Sequence, residues 1–398
     1  MHAPATPQRL PQTSSRQGPS QQAEWLALLQ CASPRADLDR LASLVQNPFS
    51  WPVFLQGAEE HRVIPLVGAN VKDLDHALTP SQIRDELREL QRVQTLFALQ
   101  LTAELFRLLA KLADAGIQVL ITKGPALAVR CYGEPGMRQY GDLDLVVREA
   151  DIRRATQAML DFAYEPLVPL TAIDAKKTSG EYAFRKPGTD LLVEFHTERT
   201  FRYHPRPLQI EKLFERSAYV VIDGRDVPVL SLEDELVLIC VHGAKHFWER
   251  LMWIADVAAL ISRQPLNWDR ALAVASEVGA QRILHLGLYL AADLLDAELP
   301  PHVKAAAQSD RTVAKLAAQI ESRLVHPELH DMGLLQRAAF RVQMRGGLVP
   351  GLAYLLRLSI TPTEEDWSPE QEGNNSALMD AISRPLRLAK KHSRRSSK

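Results

Sequence analysis

The sequence is short of cysteine. Cys31, Cys131 and Cys240 are the only three in 398 residues, and they form neither a CxxC pair nor a zinc-ligand spacing. So sparse and odd a count excludes a disulfide-stapled secreted scaffold and suits a reducing compartment. Net charge is also missing. The 47 basic and 48 acidic side chains leave a formal charge of −1, which argues against a chain whose main work is wrapping nucleic acid. Nucleic acid stays open as a partner only through local patches. No apolar run reaches the roughly 18 residues of a spanning helix, so no membrane partner is expected. Residues 1–22 are rich in Pro, Gln and Ser and lack the apolar stretch of a signal peptide. The expected location is the cytoplasm. There is no internal repeat.

What is present is ordinary globular composition, 46% apolar and 24% charged, in a pattern that changes period along the chain. Residues 1–22 read as a disordered leader. A helical region over 23–113 is clearest at 80–113, where Leu87, Leu90, Val93, Phe97, Leu101, Leu105 and Leu108 recur at spacings of three and four. Ser81 is placed to cap that helix and Gly116 to stop it.

Residues 114–230 form an α/β core. Strands are expected at 117–121 and 142–147, a helical turn at 125–131, a helix at 150–162, and hairpins at 181–186/191–196 and 219–222/227–230. A C-terminal helical domain follows over 231–383. Its first helix starts at Ser231 and runs to about 262, Asn267 caps another, and 361–375 is an exposed loop. Residues 384–398 are a basic tail with seven Lys or Arg side chains. The fold class is therefore α+β: a small mixed sheet flanked by N-terminal and C-terminal helical regions.

Candidate chemistry concentrates in the core. Residues two apart on a strand share a face, so Asp142 and Asp144 face one way, with Leu143 and Leu145 opposite. Glu194 and His196 repeat the arrangement on the second hairpin strand. If the two strands are neighbours, three carboxylates converge. Like charges at one point cost stability unless something neutralises them, and hard cations such as Mg²⁺ do so with oxygen ligands. Three carboxylates are what a two-metal phosphoryl-transfer site requires. Lys123 and Gly124 end the preceding strand. Gly124 lets backbone N–H groups approach a triphosphate, while Lys123 and Arg138 neutralise phosphate charge.

The stretch LITKGPALAVRCYGEPGMRQYGDLDLVV, followed by LLVEFH and VHGAKHFWERLMWIADVAAL, resembles the family of uncharacterised nucleotidyltransferases in the polymerase-β nucleotidyltransferase superfamily. The resemblance covers about residues 101–261. It implies a small mixed-sheet nucleotidyltransferase core, Mg²⁺ (or Mn²⁺ in its stead) on Asp142 and Asp144 with Glu194 as third acidic ligand, and transfer of a nucleoside monophosphate from an NTP to an acceptor. ATP is the expected donor. The acceptor, whether small molecule, peptide or protein, has no readable motif. Two departures stand out: Pro125 follows Gly124 where the superfamily usually has Ser, and Glu194 replaces the commoner Asp.

In the family, the helical block borders the cleft, which implies that His242, Lys245 and His246 line the nucleotide or acceptor pocket. His242 and His246, four apart, also have the spacing of a zinc pair or of hydrogen-bonded packing. His196 has three open roles: orienting a carboxylate, touching phosphate or closing the sheet edge. Beside the enzyme stand two alternatives, a nucleotide-binding regulatory module without turnover and a toxin-type enzyme acting on RNA or protein.

Overall fold

Periodicity of three and four builds the N-terminal layer: α1 (Ser20–Ala32), α2 (Leu38–Gln46), α3 (Trp51–Glu60), α4 (Ile64–Val71) and the long α5 (Ser81–Asp114). The computed structural model describes residues 20–46, 48–168, 170–174, 180–198, 206, 209–326 and 332–360. Most of the expected leader, the 361–375 loop and the basic tail lie outside them. The last three residues of the expected leader already belong to α1. Along α5, Leu87, Leu101, Leu105, Leu108 and Leu112 are buried, but Val93 is 54% exposed and stands off the apolar stripe. Pro80 precedes the helix and the Ser81 hydroxyl makes no cap. Gly116 stops it at a φ of +67°.

The expected core elements follow in order, with β3, α8 and α9 in addition: β1 (Val119–Thr122), α6 (Gly124–Tyr132), β2 (Leu143–Val147), α7 (Ile152–Asp161), β3 (Glu165–Pro166), α8 (Leu170–Asp174), β4 (Glu181–Arg185), β5 (Leu192–His196), α9 (Ile210–Glu215), β6 (Ala218–Ile222) and β7 (Arg225–Val229). They form one seven-stranded sheet in the order β3-β4-β5-β2-β1-β7-β6. The β2–β5 and β1–β7 pairs are parallel and the others antiparallel, so the fold is a mixed α+β sheet with helical flanks.

Alternation along the strands separates two cores. Val119, Ile121, Leu143, Leu145, Val147, Val193 and Phe195 face a cluster closed by α5 and α7. Leu120 and Val146 face the other way, into a second cluster. Even-numbered residues of β2 and β5 share that second face, which is how Asp144, Glu194 and His196 come to point toward the C-terminal helices.

Those helices are α10 (Leu232–Lys245), α11 (Leu251–Arg263), α12 (Trp268–Glu277), α13 (Gln281–Leu295), α14 (Pro301–Ser309), α15 (Arg311–Val325), α16 (Leu334–Met344) and α17 (Leu348–Ile360). The Ser231 hydroxyl caps α10 and the Asn267 amide oxygen caps α12, as expected. The N-terminal and C-terminal helices share one core. Ser33 donates to the Leu295 carbonyl at 2.8 Å, and His61 Nε2 lies 3.2 Å from the Leu324 carbonyl.

The single helix expected over 231–262 is broken. After Lys245 the chain turns through Phe247 and Trp248, at φ of 56° and 55°, before α11 begins. The cause is packing. Trp248 is fully buried, and its indole fills a notch over Gly243, where a methyl group would lie 2.6 Å from the ring. Burying the largest side chain outweighs two strained dihedrals. Among the described residues no helix is long and apolar enough to cross a membrane.

Candidate functional site

The site begins at the end of β1. Lys123 and Gly124 both adopt positive φ, 55° and 52°, and the chain passes from strand to helix without a spacer. For lysine that conformation costs about 1–3 kcal/mol. In return its Nζ lies 3.0 Å from Asp144 Oδ2. Pro125 occupies the first turn of α6, where a missing N–H leaves nothing unsatisfied. Its departure from the superfamily pattern is thus compatible with the turn.

The β2–β5 register sets Asp144 directly beside Glu194. His196 Nε2 lies 2.7 Å from Asp144 Oδ1 and 3.6 Å from Glu194 Oε2. Ligand atoms of Asp144, Glu194 and His196 all fall within 4.8 Å of one another. That spacing and the mixed carboxylate–imidazole donor set fit one divalent ion. Among the described residues this is the one such group of three. Asp142 stands two residues earlier, half-buried at the mouth of the strand.

The electrostatics record an excess of negative charge. Burial would raise Asp144, but Lys123 and His196 hold its carboxyl far below the ordinary carboxylate range. Burial pushes Asp142 up, and the charge of Asp144 adds to the rise. Glu194 goes further, to about 8, again through burial and then Asp144. Lys123 is drawn down by burial and upward, more strongly, by Asp144, Asp142 and Glu194. One lysine and one imidazole therefore face three carboxylates.

The end of α10 forms a wall of this cleft. The His242 and His246 rings are 4.8 Å apart, and Trp253 stacks on His246 at 5.1 Å and 25°. Burial lowers both histidines, helped by Lys245 and Lys123, with His246 at about 4. Lys123 acts on both rings and Asp144 on His242, so the two histidines lie within electrostatic reach of the carboxylate cluster, with Lys245 acting on both from the same helix end. Sequence reading overlooked Glu181. It pairs with His196 across β4–β5 and acts on Glu194, His196 and His246 alike. Alternation along the hairpin was the available signal.

Arg138 departs from expectation. Its side chain is only 4% exposed, and its Nε donates to both Asp256 carboxylate oxygens at 3.1 and 2.9 Å. Tyr132 donates to the same carboxylate at 3.0 Å. Arg138 is thus committed to a buried ion pair behind the cleft, although its charge still reaches Asp142. A cavity of about 780 Å³ opens at the far end of β1, against Gln118, Arg148, Phe214 and Tyr219, away from the carboxylates.

The structure is similar to that of an antigenic nucleotidyltransferase-like protein from Paracoccidioides brasiliensis. Identity is 18% and the TM-score 0.33, over 55% of this chain and 92% of that one. No curated protein matches. The pattern of the family described as uncharacterised nucleotidyltransferase matches residues 47–296, which include every candidate residue of the cleft. With more than half of its length matched, the chain belongs to that nucleotidyltransferase family.

Proposed function

We propose that the protein transfers a nucleoside monophosphate from an NTP, with ATP the first candidate, to a small-molecule, peptide or protein acceptor. The observation that carries this reading is the β2–β5 register, which puts Asp144 beside Glu194 with Lys123 against them. A divalent ion, Mg²⁺ or Mn²⁺, bound by these carboxylates would supply Lewis acidity and a lowered pKa for the attacking group.

The remaining work falls to the chain itself. Lys123 sits at a turn whose backbone can approach phosphate, and its ammonium offsets the negative charge of a triphosphate. Arg138 contributes through its field, since its Nε is bonded to Asp256. His242 and His246 are held neutral, and His246, backed by the buried Trp253 on which it stacks, offers a ring against which a base or acceptor can rest. In the reaction the acceptor nucleophile forms a bond to the α-phosphorus. The bond from that phosphorus to the bridging oxygen breaks, and pyrophosphate leaves with the electron pair. Glu194, set beside Asp144 by the strand register, helps hold the ion and stands where it can take the proton of the nucleophile. Most of the rate gain comes from positioning and charge stabilisation. Three unpaired cysteines fit the cytoplasmic setting proposed for this chemistry.

Thermal unfolding with each of four NTPs, with and without Mg²⁺, tests the reading. A nucleotide at about a hundredfold its Kd stabilises by about 2.7 kcal/mol. The expected result is a metal-dependent rise in Tm for one NTP, absent in Asp142→Ala/Asp144→Ala, with pyrophosphate release once an acceptor is supplied. Equal shifts in native and variant chains would overturn it.

A further inference from the structure

Resting on the nucleotidyltransferase reading, we propose that His196 is a metal ligand. The site then takes a divalent first-row transition ion in preference to Mg²⁺. The three side chains that converge are Asp144, Glu194 and His196; Asp142 is not among them. The imidazole is aimed inward. Its Nε2 is 2.7 Å from Asp144 Oδ1 and 3.6 Å from Glu194 Oε2. An ion with bonds of about 2.0–2.2 Å holds neighbouring ligand atoms about 3 Å apart, so these separations close around one ion with small side-chain movements. The ion takes the place of the hydrogen bond between Nε2 and Oδ1. Asp144 keeps its second oxygen on Lys123, which fixes the carboxylate in one orientation.

The backbone holds the donor set. Glu194 and His196 are two apart on β5 and share a face, and β5 is locked to β2 by the Asp144–Glu194 pairing. The chemistry of the set then decides the ion. Mg²⁺ demands near-octahedral oxygen ligands and keeps much of its water. An imidazole nitrogen among two carboxylates favours transition ions. Mn²⁺ stands at the bottom of their affinity order, so a preference already visible with Mn²⁺ is the strictest form of the test.

The experiment is direct metal binding by the full chain, with Mn²⁺ followed by pulsed electron paramagnetic resonance and competed by Mg²⁺. Native protein, His196→Ala, His196→Gln and His242→Ala are compared, each first shown to be folded by circular dichroism. Native protein should bind Mn²⁺ about tenfold or more tightly than Mg²⁺ and show coupling to a coordinated ¹⁴N. The coupling should vanish in His196→Ala and in His196→Gln, which offers an amide oxygen in place of the ring nitrogen, and persist in His242→Ala. His196→Gln should also narrow the preference for Mn²⁺ over Mg²⁺. Mn²⁺ bound without nitrogen coupling, or with coupling unchanged in His196→Ala, would overturn the assignment of His196 and leave nucleotidyl transfer standing. No binding of either ion, with or without NTP, would overturn both.

Discussion

Two regions of this molecule bury carboxylates, and they treat them differently. Most of the scaffold's buried acids are paired with a cation, while Glu24 accepts the Ser50 N–H instead. Asp256 has Arg138, Glu235 has Arg130, Asp234 has Arg216, and Glu104 is shared by Lys186, Arg107 and the hydroxyl of Tyr164. In the cleft, Asp142, Asp144 and Glu194 divide one lysine and one imidazole. Folding tolerates a buried charge when it is paired and hydrogen-bonded. A group of acids left under-compensated is held there by the rest of the fold and has room for a cation. A cluster of buried acids with too few cations, rather than any single buried acid, sets the candidate site apart.

The sharpest way to break that comparison is to neutralise a cleft acid. Asp142 and Glu194 both have raised proton affinities, so their charges work against the folded state above the ordinary carboxylate pKa. Asp142→Asn and Glu194→Gln should each lower nucleotidyl transfer by at least about a thousandfold. Both should raise the melting temperature of the metal-free protein at neutral pH. Pyrophosphate release and calorimetry read the two effects. A variant that loses both stability and activity would place its carboxylate in the scaffold class.

The converse holds for Asp256. Asp256→Ala leaves the Arg138 guanidinium buried without a partner, at a cost of about 3–5 kcal/mol in denaturant unfolding. Arg138→Met/Asp256→Leu should recover most of it, because a well-packed apolar pair replaces a buried ion pair at little cost. Unchanged stability in Asp256→Ala with loss of transfer would move Arg138 from scaffold to cleft.

The same division explains what the sequence revealed. Asp144, Glu194 and Lys123 were legible because strand alternation and glycine punctuation are local, whereas Asp142, expected to converge with them, lies outside the group that Asp144, Glu194 and His196 form. Two-residue spacing predicts a shared face, and only the neighbour relation of β2 and β5 remained to be supplied. The partner of Arg138 was not legible. It lies 118 residues away on a helix whose pattern gives no hint that one aspartate points at a loop. The break after Lys245 was hidden for a related reason. No glycine or proline stands at the turn itself, and the helix ends because Trp248 finds its notch at Gly243 and Gly287. The joint core of the N-terminal and C-terminal helices rests on pairings as remote as His61 with Leu324. Apolar periodicity shows that a helix has a buried face and is silent on what covers it.

That notch supplies a smaller test. The cleft wall is set by packing, so disturbing it without touching a charge should still reach the site. Gly243→Ala would put a methyl group 2.6 Å from the Trp248 ring. Overpacking of this kind costs about 1–3 kcal/mol, and the turn that positions His246 must shift. A lowered denaturation midpoint together with weaker nucleotide binding is expected. Full stability with unaltered binding would show that the wall gives way elsewhere.

The last test concerns acid. Glu104 has a fully buried carboxyl. Burial would raise it, but Lys186, Tyr164 and Arg107 draw it below its ordinary value of 4.5. A carboxylate with a lowered folded-state pKa binds protons less readily in the native state than in the unfolded chain. Its contribution is therefore present in full above about pH 4.5 and is lost as the pH falls through the lowered value. Glu104→Gln removes that dependence. At neutral pH the variant should be less stable by about 1.5–3 kcal/mol, the worth of hydrogen bonds to a charged group. The gap from the native protein should close as the pH falls below 4.5, because the native chain loses there what the variant never had. Denaturant titrations at several pH values read the closing gap. Parallel curves would mean that Lys186 and Arg107 act on Glu104 no more strongly than solvent does, and that even the scaffold acids lack the pairing which sets them apart from the cleft.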